Sequence, residues 1–381
     1  MVSSRNSFSQ RVNVPVLVAT LGLVIYGILV IWTASLSISN ASFPRHLVGV
    51  GLGAILSILV WRTDLRGLAN MSTVLLVLDI IVIFSPYIPG FSYNAKGMTG
   101  WVQIPLIGLT FQPVELAKII TTFFIAGLGA QYNGHIDTVR DYVKLCGMLA
   151  VPFLCVLAAG DLGSGLVVFA GGAVIIMMSG AKKEWVLSTI AILIGLVSLL
   201  LAADSVVDAL LGKDVLIKQY QMNRLLVFID PSADTSGAGY NLMQSLIAVG
   251  SGGFFGKGIG NATQAAEGFL PEAHTDFVFA LLSEEFGFVG AIILLALFVL
   301  LIFSSIRVAV KSDSLFLKLV AVGLVGMWTF QIFENIGMCI GLMPITGIPL
   351  PFISFGSSSM LMQFTMVGII QSIWSHRSKA A

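Results

Sequence analysis

The chain has 381 residues, of which 57% are apolar and only 10% are charged. Charged residues make up about a quarter of an ordinary soluble domain, so this composition excludes a soluble globular protein. The formal net charge of +1 gives no reason to expect nucleic-acid binding. The 3 cysteines and 4 histidines have no spacing that indicates a disulfide framework or a metal cluster.

Apolar segments recur along the whole chain. A membrane-spanning helix needs roughly 20 mostly apolar residues, and we predict an all-α polytopic membrane protein with about ten transmembrane helices. Residues 1–381 form a single membrane domain in this interpretation, and the first span is retained rather than cleaved as a signal peptide. The predicted spans are 14–36, 46–61, 69–87, 111–131, 142–159, 164–181, 185–203, 276–306, 315–343 and 352–374.

The basic residues are unevenly distributed between the two sides. Lys and Arg accumulate in cytoplasmic loops, and most of the 20 basic residues lie in inner segments if the N-terminus is inside. We therefore predict a cytoplasmic membrane protein with both termini in the cytoplasm. This orientation leaves one large extracytoplasmic loop, about 204–275, between the seventh and eighth spans, and a loop of this length is usually functional.

The fourth predicted span opens with the stretch Phe111–Lys118. Glu115 and Lys118 are spaced i,i+3 and can touch on a helix. They either form an internal ion pair that orders the bundle or line a polar cavity that receives a lipid headgroup. Gly160–Gly165 is the next outer turn. Asp161 in this turn either caps the following helix or belongs to the functional site.

Two basic residues stand on the outer side against the charge bias. Arg224 lies in the outer loop, and Lys257 lies in the glycine-rich stretch Gly250–Gly260. Arginine can donate two hydrogen bonds to the oxygens of one phosphate, and a glycine-rich backbone can approach a phosphate closely. The two residues are therefore either phosphate ligands or ordinary surface charge.

Asp276 stands where a polar segment runs into the eighth predicted span, close to Glu272 and His274. A carboxylate at the entrance to a membrane span is costly and seldom serves packing. The helix dipole favours its anion, whereas the apolar neighbours disfavour it by desolvation. We interpret Asp276 as a general base at the membrane surface; the alternative is an N-cap carboxylate.

Glu284 and Glu285 follow in the same predicted span. Both are more than two helical turns from Asp276, so neither is a simple catalytic partner. Carboxylates inside a membrane need partners, and we expect both to pair with another span.

Two features near the C-terminus also carry predictions. Gln331, Glu334 and Asn335 share one face of the ninth predicted span, which predicts hydrogen bonds between helices. Three prolines in Met343–Pro351, followed by a Ser/Gly cluster to Ser359, predict a loop that dips back into the membrane against protein.

Together these stretches resemble the SEDS family (shape, elongation, division and sporulation), with its RodA, FtsW and SpoVE branches. The resemblance is carried in order by Phe111–Lys118, Asp161–Gly163, Arg224–Pro231, Gly239–Ser245, Gly250–Gly260, Leu270–Phe277, Glu284–Gly287 and Pro344–Ser359. The amino-acid sequence of Thr346–Phe352 resembles the RodA branch more than the others. The resemblance implies about ten spans and polymerisation of peptidoglycan from lipid II at the outer membrane face.

The resemblance also implies roles for individual residues. Asp276 matches the essential aspartate of the family, which would deprotonate the 4-hydroxyl of the incoming sugar. Glu115, Lys118 and Asp161 match other important positions, and Lys96 stands near a basic position that is usually an arginine before a tryptophan. We further expect Arg224, Lys257 and His274 among the residues that bind substrate.

The implied ligands and partners are lipid II, the lipid-linked nascent glycan and the surrounding membrane lipids, with no nucleic acid. The activated pyrophosphate leaving group requires no organic cofactor, and a divalent cation is compatible with the chemistry. Members of the family work with a class B penicillin-binding protein, a transpeptidase, so we expect such a partner. The rival hypotheses are a lipid II flippase, in which the ionisable site lies near the membrane midplane, and a scaffold, in which Asp276 is dispensable.

Overall fold

The computed structural model describes residues 11–38, 41–90, 92–95, 98–103, 110–211, 219–230, 234 and 237–377. Lys96 lies outside these residues. Within them the chain is almost entirely α-helical, as the sequence predicts. Its helices are α1 Val14–Ser37, α2 Phe43–Trp61, α3 Ser72–Phe84, α4 Pro113–Ala130, α5 Val139–Ala158, α6 Leu162–Met178, α7 Lys183–Leu211, α8 Gln219–Ile229, α9 Ala238–Ser251, α10 Thr263–Ala266, α11 Val278–Val310, α12 Leu315–Cys339 and α13 Ser357–Ser375.

Ten of these helices account for the ten predicted spans. α1, α2, α4, α5, α7, α11 and α12 are long and apolar enough to cross a membrane, and α3 and α6 are shorter apolar helices. The tenth, α13, packs along α2. The central helix is α4, in which 83% of the spanning residues are buried. In α7, by contrast, none of the most apolar residues is buried. The protein is therefore a polytopic membrane protein, with α7 at the periphery of the bundle.

The ends of several helices differ from the sequence-based prediction. α7 continues to Leu211, beyond the predicted end at 203, although its apolar, membrane-spanning part ends at Asp204, and α12 ends at Cys339 rather than at 343. The segment between α7 and α11 contains the helices α8, α9 and α10. A small antiparallel sheet of β1 Ser92–Ala95, β2 Met98–Gln103 and β3 Thr110–Phe111 was not predicted, because its strands are too short to show a clear alternating pattern.

The helix α11 contains a break at Gly287, whose φ of 63° lies in the left-handed region. The glycine-rich segment packs into this break. The N–H groups of Phe288 and Val289 donate to the carbonyls of Gly253 and Phe254, at 2.9 and 3.1 Å. A Cβ at Gly287 would overlap this backbone, so the break and the close approach both require glycine.

The segment between α12 and α13 confirms the predicted loop that dips into the membrane. Phe352 is 1% exposed and packs against Trp328 of α12 and Phe364 of α13. A Cβ at Gly27, in the middle of α1, would overlap the carbonyl oxygen of Phe352. Because Gly27 is about halfway along a spanning helix, the stretch Leu350–Ile353, which is at most 1% exposed at Leu350, Phe352 and Ile353, reaches the depth of the bundle interior while surrounded by protein, as the lipid environment requires.

Candidate functional site

Asp276 lies in a tight turn directly before α11. The carbonyl of Glu272 accepts hydrogen bonds from the N–H groups of Thr275, Asp276 and Phe277, at 3.1, 3.1 and 3.2 Å. The N-cap position of α11 belongs to Phe277, and no side chain caps the helix. The alternative that Asp276 is an N-cap carboxylate is therefore wrong, and its half-buried side chain lies just outside the helix.

The segment that dips into the membrane packs against Asp276. Gly347 has a φ of 78°, and a Cβ there would lie 3.1 Å from Asp276 Oδ2, so glycine leaves room for the carboxylate. Asn335 of α12 donates from Nδ2 to the carbonyls of Asp276 and Ile348, each at 2.8 Å. One amide thus fixes the Asp276 turn relative to the segment opposite it.

Arg224 and Glu334 meet at the same place. Arg224 Nη1 donates to the carbonyl of Thr346 at 3.2 Å, and the Thr346 hydroxyl donates to Glu334 Oε1. Glu334 lies close enough to Asp276 and Arg224 for their charges to interact. Because Glu334 interacts with both other charges, the three side chains form one electrostatic unit rather than three separate residues.

The prediction of hydrogen bonds between helices from α12 is confirmed for Gln331, which accepts from Gln363 Nε2 of α13 at 3.4 Å. Glu334 and Asn335 instead bond to the segment between α12 and α13 and to the Asp276 turn. Sequence reasoning therefore missed Glu334 as a member of the site. The signal in the sequence that could have indicated it is the helical face that Glu334 shares with Gln331 and Asn335.

Asp161 lies on the other side of the segment that dips into the membrane. Its Oδ1 accepts from Ser164 N at 2.9 Å and caps α6, which confirms the capping interpretation. Its Oδ2 accepts from Gln112 Nε2 at 3.1 Å. A Cβ at Gly163, in the first turn of α6, would lie 3.5 Å from the carbonyl oxygen of Thr346. The residues around Thr346 are therefore held between Arg224 on one side and the start of α6 on the other.

Glu115 and Lys118 form an ion pair on α4, with Lys118 Nζ 2.7 Å from Glu115 Oε1 and side-chain exposures of only 3% and 5%. Of the two interpretations, the internal ion pair is confirmed. Its burial in the central helix makes it part of the bundle interior. A role in substrate binding stays a prediction.

The carboxylates of α11 hold the glycine-rich segment. Glu284, which is fully buried, pairs with Lys257 Nζ at 2.5 Å, and Glu285 accepts from Thr33 Oγ1 of α1 at 2.9 Å and from Gly260 N at 3.2 Å. The expected pairing with another span is confirmed for Glu285. It is wrong for Glu284, whose partner Lys257 lies in the segment between α7 and α11 and not in a span. Lys257 is thereby committed to an ion pair.

His274 is 6% exposed, and its ring packs 5.5 Å from that of Phe355. The carbonyl of His274 accepts from Phe355 N at 2.9 Å. Two residues before Asp276, the chain is thus tied to the segment between α12 and α13. In the described part of the chain, no three His, Cys, Asp or Glu side chains converge as a metal site.

Comparison with known proteins places the whole chain in one group. The family described as cell cycle protein, covering FtsW, RodA and SpoVE, matches residues 13–379. The peptidoglycan glycosyltransferase MrdB of Escherichia coli K12 is 33% identical over 380 residues, which cover 98% of this chain and 97% of the relative.

Solved structures agree. One, described as the structural coordination of polymerization and crosslinking by a peptidoglycan synthase complex, is 26% identical and superposes with a TM-score of 0.74 over 94% of this chain and 96% of that chain. Rod shape determining protein RodA of Thermus thermophilus is 25% identical, with a TM-score of 0.67 over 96% of this chain and 97% of that chain.

Proposed function

This chain belongs to the FtsW, RodA and SpoVE family of cell cycle proteins, and we propose that it is a peptidoglycan glycosyltransferase that polymerises lipid II with Asp276 as general base. The observation that carries the assignment of the base is its position. Asp276 is half-buried at the end of a spanning helix, beside Gly347 and within the electrostatic reach of Glu334 and, through it, Arg224.

The proposed reaction needs one base and stabilisation of the leaving group. Asp276 removes the proton from the 4-hydroxyl of the incoming sugar, and the oxygen attacks the anomeric carbon of the lipid-linked glycan. The bond from that carbon to the pyrophosphate oxygen breaks, and polyprenyl pyrophosphate leaves with the electron pair. A general base requires position first and a suitable pKa second, and partial exposure gives a sugar hydroxyl access to the carboxylate.

Among the basic residues predicted to bind substrate, Arg224 is the best placed to stabilise the departing charge. Its guanidinium contacts the same segment that faces Asp276, and arginine donates to phosphate oxygens in a fork. Lys257, by contrast, is 27% exposed and paired with Glu284. A divalent cation could add to the positive charge at the pyrophosphate; the described residues supply no cage for one.

The distribution of basic residues supports an orientation with both termini in the cytoplasm of a cytoplasmic membrane protein. Asp276 then faces the outer side, where glycan strands are assembled. The similarity to a complex that coordinates polymerization and crosslinking supports a class B penicillin-binding protein as the partner, which would cross-link the new strand.

The test is polymerisation of purified lipid II by the chain together with its transpeptidase partner. We expect glycan polymer on a gel from the wild type and none from Asp276→Ala at equal thermal stability. Polymer from Asp276→Ala would remove the base assignment. Absence of polymer from the folded wild-type complex, together with transbilayer movement of fluorescent lipid II in vesicles, would favour the flippase instead.

A further inference from the structure

The end of the bundle opposite Asp276 carries a group of cations around one tryptophan. α11 runs from the Asp276 turn to Lys311, and α13 runs from Ser357 to Ser375, so Lys311 and Trp374 lie at the far end. Lys311 Nζ is 5.4 Å from the centre of the Trp374 ring, and the Arg377 guanidinium carbon is 3.3 Å from it. We call Arg66, Lys311, Trp374 and Arg377 the Trp374 cluster.

Arg66 joins this cluster to the loop between α2 and α3. Its Nη2 donates to Asp313 Oδ2 at 3.0 Å and to the carbonyl of His376 at 2.6 Å. Ser372 of α13 also donates to the carbonyl of Thr63 at 2.5 Å. The loop, the end of α11 and the end of α13 are therefore one continuous surface rather than three loose ends.

The charges of the cluster are not balanced within the part of the chain that the structure describes. Asp64 and Asp313 both pair with Arg66, at 3.7 and 3.0 Å, whereas no described carboxylate lies within 4.0 Å of Lys311 or Arg377. A cation at the C-terminus of a helix is favourable on its own, which explains the sign of each charge. Attraction to the face of the Trp374 ring adds to this, but neither the helix end nor the ring supplies an anion that would neutralise the two cations.

We infer that the Trp374 cluster binds the headgroup of an anionic membrane phospholipid. Its cations lie at the ends of spanning helices, where phosphodiesters of the bilayer are found, and tryptophan prefers this boundary. Basic pockets between the ends of spanning helices bind anionic headgroups. A phosphate accepts charge-assisted hydrogen bonds about 2.8 Å long, so a phosphodiester at the Trp374 ring would receive them from Lys311 and Arg377 and neutralise their charge.

The experiment measures lipid preference of the full chain in vesicles. Its thermal midpoint is compared between pure phosphatidylcholine and a mixture with phosphatidylglycerol, and native mass spectrometry counts the lipids that the released protein keeps. For the wild type we expect a midpoint several degrees higher with phosphatidylglycerol and one additional anionic lipid retained. The double variant Lys311→Gln, Arg377→Gln should lose both effects, and Lys311→Arg should keep them.

Lys182 provides a matched control, because it is an exposed lysine at the same end of the bundle with its Nζ 5.0 Å from the Trp185 ring but without a second cation there. Lys182→Gln should leave the lipid preference unchanged. The inference is overturned if Lys182→Gln loses the preference as fully as the double variant, or if the double variant keeps it. It is also overturned if inorganic phosphate raises the midpoint equally in phosphatidylcholine vesicles, since the site would then bind a free anion.

Discussion

Two carboxylates close together in the chain, Asp276 and Glu284, have opposite environments. Glu284 is fully buried, and its Oε1 accepts from Lys257 Nζ at 2.5 Å and from Thr263 N and Oγ1, each at 2.9 Å. Asp276 is half-buried and faces Gly347. A carboxylate saturated by donors inside the protein holds structure, whereas one at the margin of the fold can meet a substrate. Position relative to the protein surface, rather than the residue type, separates the two roles.

The largest expected effect is on activity, from Asp276→Asn. The amide has the shape of the carboxylate but cannot accept the proton, and general base catalysis contributes about 10²–10⁴-fold. We expect polymerisation of lipid II to fall about a thousandfold, with an unchanged thermal midpoint. Gel-resolved glycan and a thermal scan of the same preparation check both. A midpoint that falls with the activity would place Asp276 in the structural class of Glu284.

Glu284→Gln is the reverse test. It keeps the shape but removes the charge opposite Lys257, and hydrogen bonds to charged groups contribute about 2 kcal/mol. We expect a lower thermal midpoint and faster proteolysis within the glycine-rich segment, with activity following the folded fraction. Glu267→Gln, which changes an exposed carboxylate in the same segment between α7 and α11, is the control that should change nothing. An unaltered midpoint in Glu284→Gln would contradict the structural role.

Gly347→Ala sharpens the comparison by displacing the Asp276 carboxylate without replacing it. The added Cβ would lie 3.1 Å from Asp276 Oδ2, so the carboxylate must shift, and small misplacements of reacting groups cost about tenfold or more in rate. Gly341→Ala is the matched control. It has a similar φ of 74°, but its nearest neighbour is Leu246 at 3.7 Å. Both variants should lose similar stability, and only Gly347→Ala should lose about tenfold in polymerisation.

The smallest effect is expected from Asp161→Ala, which removes the cap of α6. Loss of a capping side chain costs about 1 kcal/mol, so the thermal midpoint should fall by a few degrees. Asp161→Asn keeps an oxygen that can accept from Ser164 N and should retain most of the stability. If both variants abolish polymerisation at normal stability, Asp161 acts on substrate rather than on the helix.

The sequence alone predicted most of the helical spans, because runs of apolar residues are a property of the chain and not of its folding. Asp276 could also be singled out, since a charged residue at the edge of an apolar run has few structural reasons to be there. The ion pair of Glu115 with Lys118 was one of two readings, because i,i+3 spacing brings the side chains together on any helix. What surrounds that pair does not follow from spacing.

Only the tertiary structure decided which residues meet. Lys257 and Glu284 are 27 positions apart and Arg224 and Thr346 are 122 apart, and no local pattern encodes such pairings. The break at Gly287 and the passage of Phe352 past Gly27 were equally invisible, because a glycine reveals its role only when the opposing backbone is in place. The pattern of apolar residues along the chain predicts the helices. The site forms where segments far apart in sequence pack together, and the burial of each side chain there depends on long-range contacts that no local pattern predicts.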